Sequence, residues 1–304
     1  MAGAGLRDRH RPAVFGARHD GPAGGAFSEE RTGAAAGRNA GGNGSLGGTQ
    51  PGFRGGPALA PIGQEKAAVS GKRLWLGIDG CRAGWIGVWL DAQGLAGWAV
   101  RPELNAMLGD EPALALVDIP IGLADGAREC DRLARQRLGV RRSSVFSPPA
   151  RATLAARDYR EALRINREHA GTGLSKQAWN IVPKIREADR LLQSQPDLQG
   201  RLRESHPELA FASLNHGQPM QYNKTTSEGQ RERLRVLRRY LPTVRAFQNR
   251  VLRETLRRDV QADDVLDALV LAILAREGLG RLATLPLSPP SDAKGLPMEM
   301  VYLK

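Results

Sequence analysis

A strand that ends in a carboxylate constrains this sequence more than any other feature. Residues 74–78 are apolar except for one glycine, Asp79 follows them, and Gly80 comes next. Burying an aspartate at the end of an apolar strand is unfavourable unless its charge has a partner, and a flanking glycine lets another group approach the backbone. The stretch therefore predicts a strand that presents Asp79 as a candidate metal ligand, with an ordinary Asp-Gly turn as the alternative.

Two further strands and then a fourth are predicted after this one. The second and third are joined by Asp91–Gly94, a run of turn-forming residues. The apolar run at 113–123 has no polar residue before Asp118, which favours a strand buried on both faces. Pro120 cannot donate to a sheet, so this strand ends where Asp118 is presented, as a ligand or as a strand-end cap. The first three strands are assigned to residues 73–79, 85–90 and 95–100.

The middle of the chain is basic and has helical periodicity. Ser175 is placed to cap the third of these helices, and Ser227 with Gln230 forms a capping-box pattern for the fourth. The paired prolines within residues 141–151 exclude regular structure between the first two helices. The predicted helices cover residues 126–139, 153–169, 175–193, 227–240 and 244–258.

Residues 201–214 are predicted to form one more strand or an extended edge. In an extended conformation Glu204, His206 and Glu208 would alternate onto one side. Both glutamates are therefore candidate members of a carboxylate site, whereas a lone histidine is more often structural.

The last predicted helix has the clearest pattern. Ala262 or Asp263 is predicted to mark its start, and Asp263 can be a simple N-cap. An apolar stripe runs along one face of the helix. Asp267 lies at the border of that stripe and Asp264 one step further out. Both aspartates project from the first turn, where an acidic residue can also act simply by favouring the helix dipole.

The overall charge suits an anionic partner. The formal net charge is +12 and the sequence pI is about 10.4, which favours nucleic acid or, alternatively, reflects a basic proteome. Cys81 and Cys130 fit neither a disulfide framework nor a zinc spacing, as in a reducing cytosol. No apolar run approaches the ~20 residues of a membrane span, so a soluble, cytoplasmic protein without a membrane partner is predicted.

The N-terminal part differs in composition from the rest. Residues 1–70 contain 17 of the 36 glycines and lack periodic apolar residues, so this segment is predicted to be a disordered tail. The abrupt change also suggests translation starting near Val69. Residues 71–304 are predicted to form one domain, with a helical insertion at about 126–200.

Carboxylates from separate elements have a shared chemical use. Mg²⁺ and Mn²⁺ prefer carboxylate oxygens, and two such ions about 3.5–4 Å apart can activate water and stabilise the leaving oxygen of a phosphodiester. Asp79 and Asp118 follow apolar strands, and Asp264 and Asp267 open the last helix. A two-metal site is therefore the interpretation that accounts for all of these positions together.

The order of motifs along the chain closely resembles one known family. That family is called domain of unknown function 429 and is described as predicted ribonuclease H-like nucleases; the resemblance covers essentially residues 74–280. The pattern at 264–269 also looks like the last helix of Holliday-junction resolvases of the same superfamily. The motifs are GIDGCRAGW, DIPIGL, CD-x-x-AR-x-x-LG, SSVFSPPAR, LSKQAWNIVPKIREAD, E-x-HPE and DDVLDAL.

The resemblance implies a fold and a ligand set. The fold is α/β and ribonuclease H-like: a mixed five-stranded sheet whose first three strands are antiparallel, with helices on both faces. Acidic residues on the first strand, the fourth strand and the last helix bind two Mg²⁺ or Mn²⁺ ions in that superfamily. By motif these ligands are Asp79, Asp118 and Asp267, with Asp264 next.

Two features depart from the better-known nucleases. Their motifs lack counterparts of Glu204 and Glu208, and they have no simple equivalent of the basic insertion. Glu204 is here a further candidate metal ligand, and Glu208 a residue that completes the ligand set or positions water. Residues of the insertion, Trp179, Lys184 and Arg186 among them, could form a substrate pocket unlike an open nucleic-acid groove.

A metal-dependent nuclease is the leading functional hypothesis, with Lys184, Arg151, Lys224 and Arg82 as candidate substrate contacts. The first alternative is an actin-like or sugar-kinase-type phosphotransferase. Such an enzyme needs a glycine-rich turn with Ser or Thr after its first aspartate, whereas this chain has Cys81-Arg82-Ala83. The second is a catalytically inactive nucleic-acid-binding protein. The choice of DNA or RNA and the oligomeric state stay open.

Overall fold

The structure is a computed structural model and describes residues 73–304. The predicted disordered tail at 1–70 and the suggested start near Val69 lie outside the described residues. Within the described part of the chain, no helix has the length and apolar character needed to cross a membrane. Cys81 and Cys130 are free and buried.

Five strands form a mixed sheet in the order β3-β2-β1-β4-β5. The first three strands are an antiparallel meander, and β4 and β5 run parallel to β1. This confirms the predicted α/β class and the mixed five-stranded sheet. The strands are β1 Trp75–Cys81, β2 Gly84–Leu90, β3 Leu95–Arg101, β4 Leu114–Val117 and β5 Leu202–Glu204.

Seven α-helices lie in the described part of the chain. The predicted cap of the third is confirmed, since the Ser175 side chain accepts a hydrogen bond from the Ala178 amide. The fourth prediction is off by one residue, because Thr226 rather than Ser227 caps that helix. The helices are α1 Glu129–Leu138, α2 Tyr159–Ala170, α3 Lys176–Ser194, α4 Pro207–Leu214, α5 Ser227–Arg238, α6 Val244–Glu254 and α7 Ala262–Glu277.

The prediction of an extended segment at 201–214 is wrong beyond its first residues. The strand stops at Glu204, and α4 begins at Pro207, a residue that suits the first turn of a helix because it has no amide to leave unpaired. Nearly every residue of α4 is buried, so its apolar run shows no helical period. Glu204 and Glu208 therefore do not share one side of a strand.

Residues 282–303 contain a hairpin that is not predicted from the sequence. Strands β6 Leu282–Leu285 and β7 Met300–Leu303 pair in an antiparallel two-stranded sheet. β7 packs beside β5 and α4.

The large sheet separates two apolar cores, and successive residues of β1 alternate between them. Trp75 and Cys81 face the core formed with α4–α7, whereas Leu76 and Ile78 face the core formed with α3. Because side chains alternate along a strand, Asp79 points to the α7 side and Gly80 to the α3 side. The Lys184 side chain of α3 accordingly lies over Gly80.

Candidate functional site

Two parallel strands bring Asp79 and Asp118 to neighbouring positions. Ile78 pairs with Val117 in the β1–β4 register, so each aspartate is the next residue along its chain. The Asp118 amide donates to the Ile78 carbonyl at 3.1 Å, which continues the ladder to this point. Both side chains fall on the α7 side of the sheet by alternation. Asp79 is 7% exposed, so its carboxylate is almost fully removed from water.

A glycine lets α7 approach this edge closely. A Cβ at Gly77 would lie 2.0 Å from the Ala268 carbonyl oxygen and 2.2 Å from the Ala272 amide. The helix backbone therefore rests directly on β1, which leaves no room for a side chain between them. Asp267, buried in α7, and Asp264 one turn earlier are thereby brought beside Asp79.

The helix start also differs in detail from the prediction. Gln261, not Ala262 or Asp263, is the N-cap, and the Asp264 carboxylate accepts a hydrogen bond from the Gln261 amide at 2.8 Å. Asp264 therefore caps the start of α7, and its charge also raises the pKa of Asp79.

The resulting aspartate cluster (Asp79, Asp118, Asp264 and Asp267) repels itself. Burial raises the pKa of Asp79 well above its ordinary value, and the charges of Asp267 and Asp118 raise it further. Burial likewise raises the pKa values of Asp264 and Asp267 to about 6, despite hydrogen bonds that oppose the shift. Folding has thus placed four acidic groups where their charged forms are disfavoured.

Lys224 supplies positive charge to this cluster. Its Nζ donates to Asp267 Oδ2 at 2.6 Å and lies 3.1 Å from Asp263 Oδ2. Burial alone would lower the pKa of Lys224, but the charges of Asp267, Asp79 and Asp263 raise it strongly. In this arrangement Lys224, predicted as a substrate contact, is an internal counter-ion.

Glu208 and His206 adjoin the cluster from the start of α4. The charge of Glu208 raises the pKa of Asp118 and that of His206 lowers it, although burial is the largest influence there. One oxygen of Glu208, Oε1, accepts from Arg233 and from Arg141. The other oxygen, Oε2, is buried and has no hydrogen-bond partner among the described residues, so it is free to accept a ligand beside Asp118.

Glu204, by contrast, lies in a separate arginine-centred cluster, formed by Arg128, Asp131 and Glu204. Arg128 donates to both Glu204 oxygens, at 2.8 and 2.7 Å, and to both Asp131 oxygens. Glu204 pairs in register with Val117, which faces α3, so its side chain is on the opposite side of the sheet from Asp118. The structure therefore does not bring Glu204 to the aspartate cluster.

The remaining basic candidates are spread around the site. Lys184 donates to the Gly84 carbonyl, and its Nζ lies 4.4 Å from the centre of the Trp85 ring, on the other side of β1. Arg151 is held in ion pairs by Asp189 and Asp292, and Arg82 is exposed in the β1–β2 turn. Only Lys224 among the four directly contacts the acidic residues at the start of α7.

The chemistry of the donor set fits Mg²⁺ or Mn²⁺. The cluster offers only carboxylate oxygens, Asp79 and Asp267 are buried, and Asp118 and Asp264 are half-buried. As the side chains are placed, however, no group of three or more His, Cys, Asp or Glu residues in 73–304 is close enough to hold a metal ion. The carboxylates therefore fit a divalent ion by ligand type and by charge. In this arrangement the Lys224 ammonium is hydrogen-bonded to Asp267.

Two participants were not assigned these roles from the sequence. Arg233 holds Glu208 from a fully buried position in α5, and an arginine on the apolar face of an amphipathic helix was a signal that could have revealed it. The pairing of Lys224 with Asp263 and Asp267 has no such signal, because a loop residue 43 positions before Asp267 meets it only in the folded chain.

Comparison with known proteins gives one match. Residues 77–291 match the family described as "Protein of unknown function (DUF429)", in agreement with the resemblance noted from the motifs. Neither the curated proteins nor the solved structures with which the chain was compared gave a match. Because the family match spans well over half of its residues, the chain belongs to the DUF429 family of proteins of unknown function.

Proposed function

We propose that this protein is a divalent-metal-dependent nuclease with a ribonuclease H-like fold, acting on phosphodiester bonds of nucleic acid. One observation carries the proposal: Asp79, Asp118, Asp264 and Asp267 converge from two parallel strands and one helix, with the Lys224 ammonium paired to Asp267. A protein gains no stability from such self-repelling, largely desolvated carboxylates, so their placement is explained by a ligand of high positive charge.

The fold supports the proposal. A mixed five-stranded sheet with an antiparallel β1–β3 meander, covered by helices on both faces, is what resemblance to the ribonuclease H-like nucleases implies. One aspartate lies in β1, one directly after β4 and two in α7. These positions match those of the acidic residues in that superfamily.

The residues take distinct roles in this proposal. Asp79, Asp118 and Asp267 are the ligand set, and the unpartnered Oε2 of Glu208 completes it or orients water beside Asp118. Two Mg²⁺ or Mn²⁺ ions held there would activate water and neutralise charge on the phosphate. Asp264 fixes the start of α7 while adding negative charge. Glu204 and Arg151 are left out, since both are held in ion pairs elsewhere.

The phosphotransferase alternative is disfavoured by the turn after Asp79. β1 ends at Cys81 and β2 begins at Gly84, so only Arg82 and Ala83 connect them. A two-residue hairpin turn has no loop of amides and hydroxyls with which to surround nucleotide phosphates.

Cleavage assays with labelled DNA and RNA, single- and double-stranded, test the proposal. Wild-type protein should cleave at least one of these with Mg²⁺ or Mn²⁺ and none with a chelator. Asp79→Asn should lower that rate at least roughly 100-fold, since changes at groups that merely support a metal ligand already cost about 10–100-fold. Asp110→Asn, at an exposed position, is the matched control and should leave the rate unchanged.

Three results would count against it. Undiminished metal-dependent cleavage by Asp79→Asn overturns the mechanism. Thermal stabilisation by ATP without cleavage favours the phosphotransferase. Salt-sensitive binding of nucleic acid with no cleavage under any metal favours the inactive binding protein.

A further inference from the structure

Lys224 faces all four members of the aspartate cluster. Burial has the largest influence on the pKa of each aspartate and raises it. The positive charge of Lys224 opposes burial by lowering the pKa values of all four aspartates. The residue is thus positioned to serve the cluster as a whole, although its shortest contact is the 2.6 Å hydrogen bond to Asp267.

The backbone that carries Lys224 is fixed. Its carbonyl accepts a hydrogen bond from the Gln230 side chain at 2.7 Å. The neighbouring Asn223 carbonyl packs so closely on Gly229 that a Cβ there would be 1.9 Å away. Thr226 donates to the same carbonyl and caps α5. Any movement of the ammonium must therefore come from the lysine side chain itself.

That side chain can withdraw without disturbing the fold. It is 37% exposed, whereas the Asp267 side chain that it contacts is 3% exposed. The stem thus reaches from the surface to a buried carboxylate, and rotation about its flexible bonds can return the ammonium to water.

A metal ion and the ammonium compete for the same oxygen. Carboxylate ligands hold Mg²⁺ at about 2.0–2.1 Å, so an ion bound to Asp267 Oδ2 would lie within a few ångströms of Lys224 Nζ. At that separation the two cations repel each other strongly.

We propose that Lys224 is a displaceable counter-cation, which holds the carboxylates of the cluster together until a divalent ion enters and expels its ammonium to the rim of the site. This rests on the proposed function for the identity of the ion. Once expelled, the ammonium is placed beside the metal site, where it can contact an anionic substrate.

Metal titration of the full chain tests the proposal without relying on catalysis. Lys224→Met keeps the stem and removes the charge, and Lys176→Met removes an exposed lysine as the matched control. At pH 8, calorimetric titration with Mn²⁺ should show binding to Lys224→Met at least roughly tenfold tighter than to wild type. Lys176→Met should match wild type.

The outcomes separate this inference from the proposed function. Equal or weaker Mn²⁺ binding by Lys224→Met overturns the displacement, even if wild-type protein cleaves nucleic acid. Absence of Mn²⁺ and Mg²⁺ binding in both proteins overturns the displacement and the proposed metal site together. Binding by Lys224→Met alone overturns the displacement but keeps the metal site, because the ammonium of the wild-type protein then blocks the ion and is not expelled by it.

A second measurement uses wild-type protein, so it holds even if Lys224→Met does not fold. Reductive methylation followed by peptide mass spectrometry reports how readily each lysine amine reacts. Lys224 should be protected with a chelator present and become several-fold more reactive with Mn²⁺, while Lys176 reacts equally in both. Unchanged or lower reactivity of Lys224 with Mn²⁺ would contradict displacement.

Discussion

Two acidic clusters, one buried and one partly buried, lie near the ends of the parallel strands, and they are built differently. In the arginine-centred cluster, two carboxylates share the fork of Arg128, and Glu204 also accepts from the Ile121 amide at 2.7 Å. In the aspartate cluster, the Lys224 ammonium reaches in from the surface and pairs with Asp267, and its charge lowers the pKa values of all four aspartates.

The difference separates a structural ion group from a site. A guanidinium fork matches carboxylate geometry, and Arg128 is fully buried with nearly all of its donors used, so it cannot leave without unfolding its surroundings. Lys224 is a point charge on a flexible, partly exposed stem. In the first cluster a buried arginine donates to every carboxylate oxygen, whereas in the second a partly exposed lysine pairs with one of four carboxylates.

Arg128→Met should break the arginine-centred cluster and give the largest effect. It leaves Glu204 and Asp131 buried without their cation, and losing one partner of a buried ion pair costs about 3–5 kcal/mol. Urea unfolding measures the loss. A decrease of less than about 1 kcal/mol in the free energy of unfolding would show that the fold does not depend on Arg128. The proposed difference between the two clusters would then be wrong.

Gly77→Ala should break the aspartate cluster while leaving the other intact. The added methyl would overlap the α7 backbone at Ala268, so β1 and α7 must separate at a cost of about 1–3 kcal/mol. Mn²⁺ binding should weaken in parallel. Gly109→Ala is the matched control, because a Cβ there meets nothing within 4 Å; equal stability of the two variants would contradict the close packing.

The pH dependence of Asp267→Asn sharpens the comparison. Burial, against the charge of Lys224, raises the pKa of Asp267 from 3.8 to about 6, so the folded protein keeps a proton that the unfolded chain has released. This favours folding below about pH 4 and is lost as the pH rises through about 6. Asparagine cannot lose a proton, so the variant should gain of the order of 3 kcal/mol relative to wild type across that window.

That gain is measured by urea unfolding of both proteins in chelator between about pH 3.5 and 8. Asp110→Asn serves as the control and should show no such trend. A constant difference between Asp267→Asn and wild type over the window would mean that the carboxylate is already fully neutralised by Lys224.

Glu168→Gln calibrates the comparison with an exposed pair and should give the smallest effect. Arg164 and Glu168 lie 3.1 Å apart on α2, and both side chains are mostly exposed. Exposed pairs four residues apart contribute little, so the melting temperature should change by no more than about 1 °C. A larger shift would show that exposed ion pairs contribute more to the stability of this chain than such pairs usually do.

Local patterns anticipated much of the fold. Continuous apolar runs gave β1 and β4, turn formers gave the hairpin at Asp91–Gly94, and Ser175 marked the start of α3. The prediction failed at α4, where a helix buried on nearly all sides has no polar face to reveal its period. The C-terminal hairpin was missed because its short strands are separated by 14 residues.

For the candidate site, alternation along the strands decided which acids could meet. Asp118 lies one residue past Val117 and faces α7, whereas Glu204 pairs with Val117 and faces the other way. No sequence spacing distinguishes these two carboxylates, because each lies at the end of a short strand. Only the strand register shows that one joins the aspartate cluster and the other joins Arg128.

The sequence by itself determined that carboxylates lie near the ends of the most apolar elements. Burying a charge is costly, so an aspartate beside an apolar run stands out in the sequence as a candidate functional residue. The tertiary structure alone decided which of them share a site and which cation each one meets. The physical reason is that charge interactions act over a few ångströms, and those distances are set by strand register, by the contact of α7 with Gly77 and by the reach of Lys224.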